Sequence, residues 1–164
     1  MNTYPLVYSC REVVAGETFS AAIDITGRAV LELDAGEWSV AAVDPAGFAD
    51  CGATPVEAYE NFRMTLKTIL FDFVEANPRD FMLFCSAVRS FGATKNRAAE
   101  ARWLASRAEI RNGAEVVENF AACLPKRTSD VYASLTIVRL DEVNREVKEK
   151  MNVLAANENL SSAA

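Results

Sequence analysis

The chain predicts an α+β fold: an antiparallel sheet of about five strands, one long helix packed on it, and a helical insertion. Three observations predict this. Residues 1–43 alternate short β-prone segments with turn clusters of two or three residues. Residues 55–76 repeat apolar side chains at steps of three and four behind a helix-capping signal. A last β-rich run, residues 131–140, follows a long polar stretch with helical character.

Each element has its own justification. Residues 6–14 read as a strand that ends at the turn Ala15-Gly16-Glu17. Residues 18–25 form a second strand, closed by a turn at Thr26-Gly27, and residues 29–34 a third. Ala35-Gly36 turns into a fourth, residues 37–43, where Trp38 and Val40 alternate with polar or small neighbours. Asp44-Pro45-Ala46-Gly47 is a turn cluster, and Gly52 is a second place for positive φ. Thr54 sits at a helix N-cap with Pro55 at N1 and Glu57 at N3, a capping box. The helix that follows carries Val56, Tyr59, Phe62, Leu66, Ile69, Leu70 and Phe73 on its apolar stripe. Asn77-Pro78 ends it and is expected to cap the next helix, where Phe81, Phe84, Cys85 and Val88 share one face. Thr94 is expected to cap a polar helix from Lys95 to about Arg111, packed through Ala98, Ala101, Leu104, Ala105 and Ala108, with Trp103 off that stripe. Residues 115–122 read as a short helix or a loop. A charged helix begins at Asp141 and runs to about Ala156, before a frayed tail.

Composition narrows the chemistry. The 164 residues suit a single domain able to bury a core without disulfides. No apolar run approaches the roughly 18 residues of a membrane span. The first residues show neither a basic region nor an apolar core of a secretory signal, so the cytoplasm is the expected compartment. The four cysteines, Cys10, Cys51, Cys85 and Cys123, are widely spaced with no C-x-x-C, which reads as reduced thiols. There is no histidine, so no imidazole base, no Ser-His or Cys-His pair and no imidazole metal ligand. The net charge of −6 is uneven: residues 1–80 carry −8 and residues 81–164 carry +2. An acidic half suits a basic partner, or simply keeps the surface solvated.

One stretch carries a family resemblance. Gly36, Trp38, Val40, Asp44, Gly47, Gly52, Thr54, Glu57, Ala58 and Asn61 lay out a strand, a glycine turn and a helix start in a fixed order. This resembles the HicB-like antitoxins, whose strand has an aromatic residue and Val, then P-D-L-P-G, then G-x-T-x-x-E-A-x-x-N. The chain departs from that pattern at Val43 and Ala46, where prolines are usual, and at Phe48, where Cys is usual; Cys51 lies three residues later. The resemblance covers residues 36–61 most closely. It implies a partial ribonuclease-H-like core over residues 18–76 and 124–141, a helical insertion at 77–123, and a C-terminal helix and tail at 142–164. Leu124-Pro125-Lys126 resembles the proline-marked segment before the family's last strand, and residues 6–14 would then be an extra edge strand or dimer contact.

The resemblance implies a non-enzymatic module that binds a small basic ribonuclease toxin and blocks its active site, with a homo-dimer or higher assembly and no cofactor. Glu37, Trp38, Asp44 and Asp50 are the candidate partner-binding residues, joined by Glu32 and Asp34. Trp38 equally suits packing under the helix, and Asp44 equally suits bonding within its own turn. A self-associating scaffold with no toxin is the alternative within the family. A degenerate metal-dependent nuclease is the alternative outside it, requiring Asp24, Glu32, Asp34 and Asp44 to converge. Acidic strand residues facing solvent explain the same pattern, and no catalytic or metal-ligating residue is assigned. The basic residues Arg89, Lys95, Arg97, Arg102, Arg107 and Arg111 would suit phosphates, or a solvated helix with Arg97 beside Glu100. Only 138–141, ahead of a helix, resembles a ribbon-helix-helix start, and no second helix is visible, which argues against DNA binding.

Overall fold

Strand β2 (Ser20–Asp34) is the spine of the molecule, fifteen residues long. The structure, a computed structural model, describes residues 3–114, 133–142 and 145–146. On one side β2 pairs antiparallel with β1 (Thr3–Ala15) along the whole of that strand. The other side is shared. Its second half pairs with β3 (Glu37–Asp44), and its first half pairs with β5 (Ser134–Arg139). A short β4 (Ala49–Gly52) pairs with β3 and completes a five-stranded antiparallel sheet among the described residues.

The turn expected at Thr26-Gly27 does not form, and the second and third expected strands are one. Gly27 is there for space instead. A Cβ added to it would lie 2.1 Å from the Asp44 carbonyl oxygen and 2.6 Å from the Tyr8 hydroxyl. Close approach, like a turn, requires glycine, and a sequence does not distinguish the two. Gly52 likewise has no positive φ; it lies in β4, where the backbone of Ala58 leaves no room for a side chain.

Three helices lie between β4 and β5 among the described residues. Helix α1 (Pro55–Ala76) is capped by Thr54 as expected, its Oγ1 accepting from the Glu57 N–H. The Glu57 carboxylate reaches one residue further back than a capping box requires and accepts from the Ala53 N–H. Helix α2 (Phe81–Gly92) is capped by Asp80, not Asn77, because the Asn77 side chain is used on the carbonyl of Phe73 at the end of α1. Helix α3 (Arg97–Arg111) is capped by Asn96, not Thr94, whose hydroxyl instead joins Ala46 to Phe91. Of the expected last strand, residues 131–132 lie outside the described residues, and Leu140 already belongs to the helical stretch that follows β5. The segments expected at 115–122 and 124–126, and the end of the chain, also lie outside them. No described helix is long and apolar enough to cross a membrane.

The sheet is covered on both faces, by different means. Its inner face carries Leu6, Tyr8, Ile23, Ile25, Leu31 and Val40, against Phe62, Leu66 and Leu70 of α1 and Phe84 and Val88 of α2. The rings of Tyr8 and Phe62 meet edge-on at 5.1 Å, and Phe48 stacks on Phe62 at 4.7 Å. The outer face is covered over part of its length by α3, through a small cluster of Val30, Val43, Ala99 and Trp103. Helix α3 therefore docks through Ala99, Trp103 and Ser106, and the expected stripe of Ala98, Ala101, Leu104, Ala105 and Ala108 faces solvent.

Candidate partner-binding surface

A bulge decides the fate of Asp44. In register, Ala29 opposes Ala42 but Arg28 opposes Asp44, so Val43 is an extra residue in β3. Strict alternation would put Asp44 on the inner face with Ala42. The extra residue turns it onto the outer face beside Arg28. There its carboxylate accepts from the Arg28 backbone N–H at 3.0 Å and from the guanidinium at 2.6 and 3.1 Å. The same guanidinium donates to Glu100 of α3 at 2.7 Å and lies 5.1 Å from the Trp103 ring centre. Both Asp44 and the Arg28 side chain are nearly buried. Asp44 is thus committed within the fold and presents no free carboxylate.

The other three candidates lie around the end of the sheet where β2 turns into β3. Ala35 and Gly36 both have positive φ, at 49° and 89°, as a two-residue hairpin turn requires. Glu37 follows, exposed. Trp38 pairs with Gly52 across the ladder and lies on the inner face, half-buried, 6.0 Å from the Tyr4 ring. Asp50 in β4 accepts from the Thr65 hydroxyl at 2.6 Å and from the Cys51 N–H at 2.9 Å. The remaining motif residues hold this end together. Val40 is in the core, and Ala58 is buried where α1 meets β4 at Gly52. Asn61 donates to the Cys51 carbonyl at 2.9 Å, and Gly47 supplies a positive φ of 96° in the β3–β4 loop.

The electrostatics of this end are one-sided. The exposed Cys51 thiol is pushed above its ordinary range by a hydrogen bond to Glu37 and by the charge of Glu37, with Asp50 and Glu57 adding to it. Glu37, Asp50 and Glu57 thus act on this thiol with the same sign. Among the described residues, none of Asp34, Glu37, Asp50 and Glu57 has a cation within ion-pair distance.

The acids of the outer face differ. Asp24 is held by Arg11, Glu32 by Arg102 and Asp44 by Arg28. The four carboxylates that a metal-dependent nuclease would need are not gathered. Asp24 and Asp34 stand ten residues apart on one strand, a span of roughly 33 Å. No group of three or more Asp, Glu, Cys or His side chains among the described residues is arranged to hold a metal ion. The basic helix is partly committed as well: Arg102 to Glu32, Lys95 to Glu100, and Arg107 over the Trp103 ring.

The Arg28–Asp44–Glu100–Trp103 cluster escapes sequence reasoning, since its members lie up to 75 positions apart in the chain. The one signal for it is a tryptophan in a helix otherwise rich in alanine and arginine. No family model, no curated protein and no solved structure matches this chain.

Proposed function

We propose that the protein is a non-enzymatic binding module of the HicB-like antitoxin type, which neutralises a small basic ribonuclease toxin by covering its active site. The observation that carries this reading is the carboxylate end of Asp34, Glu37, Asp50 and Glu57, none ion-paired among the described residues, beside the half-exposed Trp38. A rigid acidic surface of this kind speeds encounter with a basic partner and fixes its register, and an aromatic ring at its margin is a suitable anchor. The ordered β3–β4–α1 junction holds the carboxylates in place, which keeps the entropic cost of binding low.

The test is capture from the native host with tagged protein, followed by co-expression. The expected result is a stoichiometric small basic protein whose toxicity the chain relieves. Relief is lost, and association slows, in the double variant Glu37→Lys/Asp50→Lys, and binding of the native chain weakens steeply with added salt. Recovery of the chain alone, or relief indifferent to both carboxylates, overturns the reading.

A further inference from the structure

Helix α1 has two apolar stripes, and the sheet uses one. Ala58, Phe62, Leu66, Leu70 and Val74 are buried. Val56, Met64 and Phe71 are instead 40%, 61% and 38% exposed. At about 100° per residue, these three fall with Glu60, Arg63 and Lys67 within an arc of about 100°, which the buried Val74 enters only at the last turn of the helix. Glu60, Arg63, Met64 and Lys67 form one wall of a groove of about 400 Å³, and Cys10 and Glu12 of β1 form the other. Lys67 reaches Glu12 at 3.4 Å. Neither Glu60 nor Arg63 has an ion partner among the described residues.

The order of residues along this stripe is its own complement. Val56 and Phe71, Glu60 and Lys67, and Arg63 and Met64 are each symmetric about the midpoint between positions 63 and 64. Place a two-fold axis at that midpoint, perpendicular to the helix, and bring up an antiparallel copy. Val56 then meets the second copy's Phe71, Glu60 meets its Lys67, and Met64 lies along the stem of its Arg63. The symmetry repeats every contact, as in an isologous interface. The steps along the chain are four, three, one, three and four, a helical spacing that reads the same in both directions.

We propose that this flank of α1 is a self-recognition surface, and that its occupant is a second copy of the chain packed antiparallel through α1. Charge complementarity selects that occupant. The unpartnered Glu60 gains the second copy's Lys67, with Arg63 of that copy one turn away. With Glu12 counted, the surface is neutral, so two copies meet without net repulsion there. A basic partner of the kind proposed above would find no excess of acid on this surface, which separates it from the carboxylate end. The inference does not rest on the antitoxin reading, because a chain that dimerises with no toxin fulfils it equally.

The experiment is sedimentation equilibrium of the full chain, with circular dichroism to confirm folding. The native chain is expected to be a dimer. Glu60→Lys places lysine against Lys67 and Arg63 of the other copy, and Lys67→Glu places glutamate against its Glu60. Each variant alone is expected to dissociate about tenfold or more readily. Mixed in equal amounts, they are expected to form a heterodimer, since each lysine then meets a glutamate at both ends of the seam. A variant that had merely unfolded would not recover on mixing. A monomeric native chain, single variants as tightly paired as the native chain, or a mixture that stays monomeric would each overturn the proposal.

Discussion

The two faces of the sheet are closed by opposite means. The inner face buries a broad layer of aromatic and aliphatic side chains under α1 and α2. The outer face relies on a handful of contacts: one tryptophan, two valines, an alanine and an ion cluster around Arg28. Hydrophobic area is non-directional and shared among many residues. Buried charge is directional and concentrated in few. The inner face should therefore tolerate conservative change, while the outer face should depend sharply on single residues.

The largest test of this contrast is Trp103→Ala. Trp103 is fully buried, and its indole N–H donates to the Leu6 carbonyl at 2.9 Å. Its removal should cost about 3–5 kcal/mol. The loss should be local: hydrogen exchange in α3 rises first, while the amides of α1 stay protected. One cooperative loss of protection across both faces would break the comparison.

Asp44→Asn comes next. It leaves the Arg28 guanidinium nearly buried with Glu100 as its remaining anion. Chemical denaturation should show a loss of about 3 kcal/mol. A neutral outcome would mean that packing alone, with no help from charge, holds the outer face.

Thr54→Ala acts on the inner-face helix through its cap. With the Glu57 N–H unsatisfied, the expected loss is about 1 kcal/mol in the same measurement. This should be smaller than either outer-face change, although α1 buries far more surface than α3.

The smallest effect is that of pH. The Arg28 hydrogen bond, joined by the charges of Arg28 and Lys95, holds the Glu100 carboxyl below its ordinary range. A carboxyl whose folded pKa lies below its unfolded value stabilises fully above the unfolded value, about 4.3. That contribution is lost as pH falls through the lower, folded value. Glu100→Gln should therefore flatten the acid side of the stability profile and leave the neutral side parallel to the native chain's. An unchanged acid limb would show that Glu100 contributes nothing to the clamp.

What the sequence makes legible follows the same division. The Thr54 cap and most of the apolar repeat of α1 are local patterns that appear where the spacing puts them, Val56 being the member that stays exposed. Asp44 and Trp103 are legible only as residue types. Their places depend on a one-residue bulge at Val43 and on a helix that arrives more than fifty positions later. In α3 the alanines are too small to outweigh one tryptophan, so a count of apolar positions selects the wrong face. Gly27 shows the same limit, because a glycine needed for clearance looks like one needed for a turn. Of the proposed partner-binding residues, Glu37 is legible as an acid beside a hairpin turn, whereas the half-buried place of Asp50 under the Thr65 hydroxyl is not. Nor is the place of Cys51 among them.

The sharing of β2 between β3 and β5 has a consequence in time. The half of β2 that pairs with β3 closes over short separations, from Asp34 with Glu37 to Arg28 with Asp44. The half that pairs with β5 waits for residues more than a hundred positions away, as when Ala21 meets Arg139. Chain-closure entropy grows with such separations, and contacts of high sequence distance form slowly. Both halves of β2 thus have a local hairpin partner, β1 for the first and β3 for the second. One edge of the first half, however, is closed only by residues that follow α1, α2 and α3 in the chain.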